Sequence, residues 1–306
     1  MVGARPRRHR RAPQRPGSAR RGHTLILQPD APCGDLHALL ESLYKRFNDP
    51  RWLEPDPLVV VRRYEDAADI EVAGIVAAAL ALGNARAIMD AAGSLLVPFG
   101  KHPADTLASM DAGDVAQAVA GFRYRFFDEV DLVAFLCAIR SVRATCGTLE
   151  RAFLSGDDQA EPDYAPAASR FVRMLAAARD AAGDSTSSGR SPPWRSNLFP
   201  DPARGSAAKR VFLYLRWMVR RDAVDPGPWR NADPARLVVP LDTHMAAACR
   251  RLGLISRRST DLKAAREAGA AFRAIRPDDP IRYDFCMTRP GIRPDLDPAS
   301  CFEPFR

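Results

Sequence analysis

The chain has 306 residues, of which 46% are hydrophobic, and its formal net charge is +8 at neutral pH. This size is sufficient for one large domain or two lobes around a sizeable core. No apolar run approaches the roughly 18 residues of a membrane-spanning helix, which predicts a soluble protein that does not bind a membrane.

The positive charge is concentrated at the N-terminus. Residues 1–22 hold eight arginines and no acidic residue, whereas the rest of the chain holds 37 basic and 37 acidic side chains. A segment rich in Arg, Pro and Gly cannot bury a core, so we predict a disordered tail over residues 1–34. The tail lacks the apolar segment of a secretory signal. A transit peptide, a wrongly assigned start codon and a nucleic-acid tether are three open explanations for it.

Helical periodicity dominates the first two thirds of the chain. The segment 69–82 is apolar around most of its circumference, which predicts a buried helix, and Gly83-Asn84 interrupts it. The segment 183–204 is rich in Ser, Gly and Pro and is predicted to be a flexible connection between two lobes. The other helices predicted in this part are 36–47, 85–96, 114–122, 131–146 and 164–182.

The remaining chain continues the helical pattern. Two short apolar runs, 58–61 and 237–239, are too short to define a sheet. We therefore predict an all-α fold, with a two-lobed helical domain over 35–295 and a C-terminal tail over 296–306. The helices predicted in the last third are 207–221, 243–252, 261–275 and 281–288.

The helix that follows the predicted connection carries a group of basic residues. At 100° per residue, Lys209, Arg216 and Arg220 fall on one stripe without intervening acids, which predicts a solvent-facing surface that binds phosphates. The helix is expected to begin at Gly205-Ser206, where exposed backbone N–H groups would attract phosphate. An ordinary solvated helix face explains the same pattern equally well.

Asp242, in the sequence VPLDTHM, stands where the next helix begins. As an N-cap, its side chain would stabilise that helix by about 1 kcal/mol, which is a complete structural explanation. A catalytic carboxylate is the alternative. His244, in the same turn, is a candidate for contacting nucleic acid. It could also bind a metal together with Asp242, but no second histidine lies nearby in the sequence, so we do not predict a metal site.

The cysteines and lysines add two further constraints. Six cysteines are scattered without a CxxC pair, which argues against a zinc module, an iron–sulfur cluster or a disulfide framework. We therefore expect a cytoplasmic protein without a metal or another cofactor. The chain has only four lysines beside 41 arginines, so a retained lysine such as Lys209 is a candidate for amine chemistry.

The order of two motifs resembles the helix-hairpin-helix DNA glycosylases. The motifs are GSAAK at 205–209 and LVVPLDTHMAAACRRLGL at 237–254. In that family a Gly-rich hairpin carries a Lys at the start of a helix, and a later "VDTH"-type turn supplies an Asp that caps the next helix. The break at Gly83-Asn84 is also similar, because the family often places there a polar residue that fills the gap left by a flipped base.

A closer resemblance is to a bacterial family of uncharacterised proteins related to these glycosylases. The set RWMVRRDAVDPGPW, PLDTH and DPIRYDF carries it, and it covers roughly residues 36–295. Two features depart from the glycosylase pattern. Ala207 replaces the usual second glycine of the hairpin, and the stretch DAVDPGPWRNADPAR lengthens the connection between Lys209 and Asp242, as in archaeal 8-oxoguanine glycosylases.

The resemblance implies a two-lobed enzyme that excises a damaged base from duplex DNA, with an 8-oxoguanine-like lesion favoured. Lys209 would attack the sugar, which confers lyase activity, and Asp242 would stabilise the positive charge that develops on it. Arg216 and Arg220 would hold phosphates, while Asp225 and Trp229 are candidates for contacting the flipped base. No cofactor and no obligate protein partner is implied.

Two alternatives remain open. For the segment around Asp225 and Trp229, a structural Pro/Gly turn that buries one tryptophan is favoured over contact with a flipped base. The whole chain is also compatible with a non-catalytic nucleic-acid-binding module of glycosylase-like fold, since the altered hairpin and the near-neutral body favour binding without cleavage.

Overall fold

The computed structural model describes residues 33–183 and 197–302, which form an all-α fold. The only sheet in this part of the chain is an antiparallel hairpin of β1 (Arg123–Tyr124) and β2 (Phe127–Asp128). Short 3₁₀ turns occur at Pro50–Trp52, Val97–Phe99, Pro202–Arg204 and Pro234–Arg236. The helices are α1 (Cys33–Phe47), α2 (Leu58–Val61), α3 (Ala67–Ala79), α4 (Ala85–Leu96), α5 (Pro103–Ser109), α6 (Ala112–Ala118), α7 (Glu129–Cys146), α8 (Leu149–Leu154), α9 (Ala165–Gly183), α10 (Lys209–Val219), α11 (Thr243–Arg251), α12 (Leu262–Ile275), α13 (Asp284–Ile292) and α14 (Pro298–Cys301).

Most predicted helices lie within a few residues of observed ones, and α4 has the predicted limits. The segment 58–61 is the short helix α2 and not a strand. Nearly all of the predicted tail (1–34) and most of the predicted flexible connection (about 183–204) lie outside the described residues. The stretch 296–306 contains α14, and Cys301 and the following Phe302 are buried against the core.

Helix α3 is the centre of the fold. Every residue from Asp69 to Ala79 is buried, because α2, α4, α5 and α10 all pack around this helix. After α3 the chain turns at Gly83, whose φ of +121° is accessible to glycine without strain. Asn84 then begins α4 as its N-cap, accepting a hydrogen bond from the Ala87 backbone N–H at 2.8 Å. This turn fixes the position of Asn84 relative to the buried helix.

A buried carboxylate on α3 ties together several other elements. Glu71 accepts hydrogen bonds from the backbone N–H groups of Leu149 and Glu150, from Arg143 Nη1 and from Trp229 Nε1, at 2.8–3.0 Å. Both carboxylate oxygens are therefore doubly paired. The contacts connect α3 with α7, with the N-terminus of α8 and with the loop that follows α10.

The last helices complete the part of the fold that surrounds the site described below. Helix α13 packs against both α1 and α11, and α10 packs against α3. The start of α10, the start of α11 and one face of α13 therefore lie close to the turn between α3 and α4. None of the helices in the described ranges is both long and apolar enough to cross a membrane.

Candidate active site

Lys209 and Asp242, 33 positions apart in the chain, form an ion pair. Lys209 is the first residue of α10, and its Nζ lies 3.4 Å from Asp242 Oδ2. The other oxygen, Asp242 Oδ1, accepts a hydrogen bond from the Met245 backbone N–H at 2.8 Å and caps α11. The cap and the lysine pair thus use different oxygens, so the structural and the chemical explanations of Asp242 are compatible.

The pair lies in the wall of a cavity of about 290 Å³. Five segments line this cavity: the loop before α2, the turn between α3 and α4, α10, the start of α11, and α13. Both members of the pair are partly accessible, with side-chain exposures of 30% for Lys209 and 19% for Asp242. The predicted site residues Asn84, His244 and Arg216 also line the cavity, and Asn84 and His244 are exposed at its rim.

Two buried polar residues of α13, Asp284 and Arg289, form part of the same wall. Asp284 Oδ2 accepts a hydrogen bond from Arg216 Nη1 at 2.6 Å, but Oδ1 is buried without a hydrogen-bond partner among the described residues. Arg289 Nη2 donates to Asp56 Oδ2 at 2.7 Å, whereas its Nε and Nη1 are buried without such a partner. Unpaired buried groups of this kind are uncommon in native proteins.

The Asp284 carboxyl has a shifted proton affinity. Burial raises its pKa to about 6, with the Asp242 and Asp225 carboxylates adding to the shift and Arg216 opposing it. The residue is 4% exposed, which accounts for the strong effect of burial. A titratable group with such a pKa in a cavity wall is typical of functional sites.

The predicted solvent-facing stripe is wrong for Arg216 and Arg220, which are each 3% exposed. Arg216 binds Asp225 through two hydrogen bonds as well as Asp284, while Arg220 pairs with Asp222, Asp225 and Asp279. The helical spacing within α10 predicted exposure because the acids that neutralise the two arginines come from outside this helix. With their donors engaged by buried carboxylates, these arginines are not placed to hold phosphates at the surface.

Asp225 and Trp229 do not contribute to the cavity wall. Asp225 is completely buried between the two arginines, and burial raises its pKa although both arginines oppose that shift. The Trp229 ring packs between Phe153 and Tyr214, with ring centroids 5.4 and 5.6 Å away, and its Nε1 donates to Glu71. The structure thus favours the structural turn over contact with a flipped base.

The hairpin before Lys209 also differs from the prediction. Helix α10 begins at Lys209 and not at Gly205-Ser206, and Ala208 precedes it in the left-handed region at φ +43°. Gly205, at φ +82°, accepts a hydrogen bond from the Leu262 N–H, and Ser206 Oγ accepts one from the Ala208 N–H. Gly205 and Ser206 are exposed but lie outside the cavity that contains Lys209.

Neither Asp284 nor Arg289 is predicted from the sequence as a site residue, although Asp284 lies in the motif DPIRYDF, which supports the resemblance. A charged pair within an otherwise apolar helix that contains Pro290 was the available signal. As for metals, no group of three or more His, Cys, Asp or Glu residues within 33–183 and 197–302 is arranged to hold an ion.

Comparison with known proteins gives one family match. No curated protein and no solved structure matches the chain, so the resemblance to helix-hairpin-helix glycosylases stays a prediction. A family model described as "Protein of unknown function (DUF2400)" matches residues 56–293, a range that includes every residue of the cavity wall except Pro55. The chain therefore belongs to the DUF2400 family of proteins of unknown function.

Proposed function

We propose that this protein is a DNA glycosylase with abasic-site lyase activity, in which Lys209 is the nucleophile and Asp242 its acidic partner. The observation that carries the proposal is the 3.4 Å contact between Lys209 Nζ and Asp242 Oδ2 in the wall of an open cavity. An amine that is reachable from solvent can serve as a nucleophile, and the carboxylate beside it can accept a proton from that amine. The cavity volume is at the lower end of ligand pockets, which suits a single nucleobase.

In the proposed reaction, a damaged nucleotide rotates out of the duplex so that its base enters the cavity. The neutral amine of Lys209 attacks the sugar C1′ while the bond from C1′ to the base breaks, and the base leaves with the electron pair. Asp242 stabilises the positive charge that develops on the sugar. One proton of the attached amine passes to the departing base and the other to O4′ as the bond from C1′ to O4′ breaks, which gives a Schiff base. Loss of a proton from C2′ then expels the 3′ phosphate and cuts the strand.

Residues at the rim suit contacts with the DNA. Arg86 lines the cavity with 62% of its side chain exposed, and its nearest acid, Glu54, is 3.9 Å away and equally exposed. Such a weak surface pair leaves the guanidinium available for a phosphate. Asn84 lies nearby as the N-cap of α4, and in the proposed complex its side-chain amide would fill the space left by the flipped base.

Borohydride trapping tests the proposal, because it reduces a Schiff base to a stable amine. The protein is incubated with duplexes that contain 8-oxoguanine, uracil, an oxidised pyrimidine or an abasic site. We expect a covalent adduct with at least one of them and its complete loss in Lys209→Ala. Lys263→Ala, at an exposed position of α12, is the matched control and should form the adduct at the wild-type rate.

The same assay separates the proposal from its main alternative. Binding to these duplexes without an adduct or a nick would overturn the enzymatic proposal and favour a non-catalytic nucleic-acid-binding module. An adduct that persists in Lys209→Ala would reject Lys209 as the nucleophile.

A further inference from the structure

The β-hairpin of β1 and β2 holds an arginine in a backbone conformation that arginine seldom adopts. Tyr124 pairs with Phe127 across the two strands, which leaves Arg125 and Phe126 as a two-residue turn. Arg125 comes first in this turn and has a φ of +57°, in the left-handed region that favours glycine at such a position. In the described ranges, Ala208 is the only other residue besides glycine with a positive φ. Because glycine would remove this strain, the Arg125 side chain is expected to have a use of its own.

The Arg125 guanidinium lies against the turn between α3 and α4. A Cβ added to Gly83 would be 2.5 Å from Arg125 Nη2 and 3.1 Å from its Cζ, so the guanidinium covers one face of this glycine. Tyr124 Oη donates to the Leu82 carbonyl at 2.8 Å, which ties the β-hairpin to the same turn. Gly83 and Asn84 belong to the cavity wall. The β-hairpin therefore holds a cation beside the wall of the cavity, although Arg125 itself is not part of that wall.

The Arg125 guanidinium is available to a ligand. Arg125 is exposed and makes no ion pair or hydrogen bond with another described residue, unlike Arg216, whose donors are engaged by buried carboxylates. Arg86, two residues after Asn84, is also exposed and has only its weak surface pair with Glu54. Two accessible guanidinium groups thus belong to or contact the segment that carries Asn84. Guanidinium groups bind phosphate oxygens through paired N–H donors.

We propose that Arg125 binds a backbone phosphate of the strand whose nucleotide enters the cavity, and that the β-hairpin holds it there at a cost in folding stability. A nucleotide that rotates into the cavity brings its sugar–phosphate backbone to the cavity rim, close to this guanidinium. That the ligand is a nucleic acid rests on the proposed function, whereas the position, exposure and backbone strain of Arg125 do not. The two effects of the arginine are therefore opposed: it weakens the fold and strengthens binding.

Duplex binding and thermal unfolding of the intact chain test this opposition. The probe is a fluorescein-labelled duplex with a tetrahydrofuran abasic analogue, which cannot form a Schiff base, so its anisotropy reports binding alone. Arg125→Gly should bind about 10-fold more weakly, and the slope of log Kd against log salt should fall by about 1. Its Tm should rise by about 2 °C, because glycine adopts this φ without strain. Arg125→Gln keeps the strain and should lose the same affinity without the rise in Tm.

The matched control is Arg123→Gln, which removes an exposed cation from the same β-hairpin. Arg123 is paired with Asp128 across the two strands, so its charge is offset locally and the affinity should stay within about 2-fold of wild type. Unchanged binding in both Arg125 variants overturns the inference. A lower Tm in Arg125→Gly also overturns it, since the arginine would then stabilise the fold. An equal loss of affinity in Arg123→Gln would assign the effect to net charge and reject a specific contact.

The result is separable from that of the trapping assay. A protein that binds the duplex through Arg125 but forms no borohydride adduct would retain this inference and refute the proposed reaction. A protein that forms the adduct but binds the duplex equally well as Arg125→Gly would do the reverse. A wild-type chain that binds none of the duplexes would refute both.

Discussion

Glu71 and Asp284 are two buried carboxyl groups, 3% and 4% exposed, with opposite degrees of pairing. Glu71 accepts four hydrogen bonds, two on each oxygen. Asp284 accepts one side-chain hydrogen bond on Oδ2 and none on Oδ1. Burial raises the pKa of both groups, so the shift alone does not separate them. The pairing separates them: the four hydrogen bonds to Glu71 form a closed network that ties several elements together, whereas Asp284 Oδ1 has no hydrogen-bond partner among the described residues.

The largest expected effect comes from breaking the closed network. Glu71→Ala leaves Trp229 Nε1, Arg143 and two backbone N–H groups without their acceptor, and should cost about 4 kcal/mol of unfolding free energy. Glu71→Gln keeps one acceptor oxygen and should lose roughly half as much. Urea unfolding measures both. A loss below about 1 kcal/mol in Glu71→Ala would show that the network does not hold these elements together.

The carboxyl group of Asp284 should make the free energy of unfolding depend on pH. The pKa of Asp284 is about 6 in the folded protein against 3.8 ordinarily, so the folded state binds more protons between these values. Its contribution to stability is fully present below about pH 4 and is lost as the pH rises through 6. The full effect is about 3 kcal/mol, of which about 1 kcal/mol falls between pH 5 and 8.

Asp284→Asn isolates this contribution, because asparagine has a similar shape and does not titrate. Wild-type stability relative to Asp284→Asn should fall from pH 5 to pH 8 in urea unfolding. The charged groups that set the shift, Arg216, Asp242 and Asp225, are present in both proteins. Stability curves that run parallel over this range would mean that the Asp284 carboxyl does not change its charge there.

The fold was more predictable from the sequence than the site. Helix limits such as those of α4 follow from local periodicity and capping residues, and Lys209 and Asp242 were found through a motif. The burial of Arg216 was not predicted, because its partners Asp225 and Asp284 lie outside α10. Only the tertiary fold brings these two acids against the arginine. The unpaired state of Asp284 Oδ1 is likewise a property of packing.

The two functions of Asp242 can be separated at a smaller cost in stability. Asp242→Ala removes both the cap of α11 and the partner of Lys209, and should cost about 1 kcal/mol. Asp242→Asn keeps an oxygen for the Met245 N–H, so its stability should fall by only a few tenths of that. Both variants should form the borohydride adduct at least about 100-fold more slowly. An active Asp242→Asn would leave the residue with its capping role alone.

The smallest expected effect on stability is at Gly291, where α13 meets the cavity rim. A Cβ on this residue would lie 2.7 Å from His244 Nδ1, so alanine must displace the histidine ring. Alanine also favours the helix by about 1 kcal/mol over glycine, which offsets the cost of that displacement. The stability of Gly291→Ala should therefore stay within about 1 kcal/mol of wild type, while adduct formation slows several-fold if His244 contacts the DNA.

The matched control is Gly269→Ala in α12, where a Cβ would meet only Val239 Cγ2 at 3.9 Å, an ordinary contact. This variant gains the helical preference of alanine without displacing a neighbour, so it should be more stable by up to about 1 kcal/mol. Its adduct formation should equal that of the wild type. Thermal unfolding and a trapping time course on both variants give the comparison. Equal trapping rates in the two variants would show that the position of the His244 ring does not affect adduct formation.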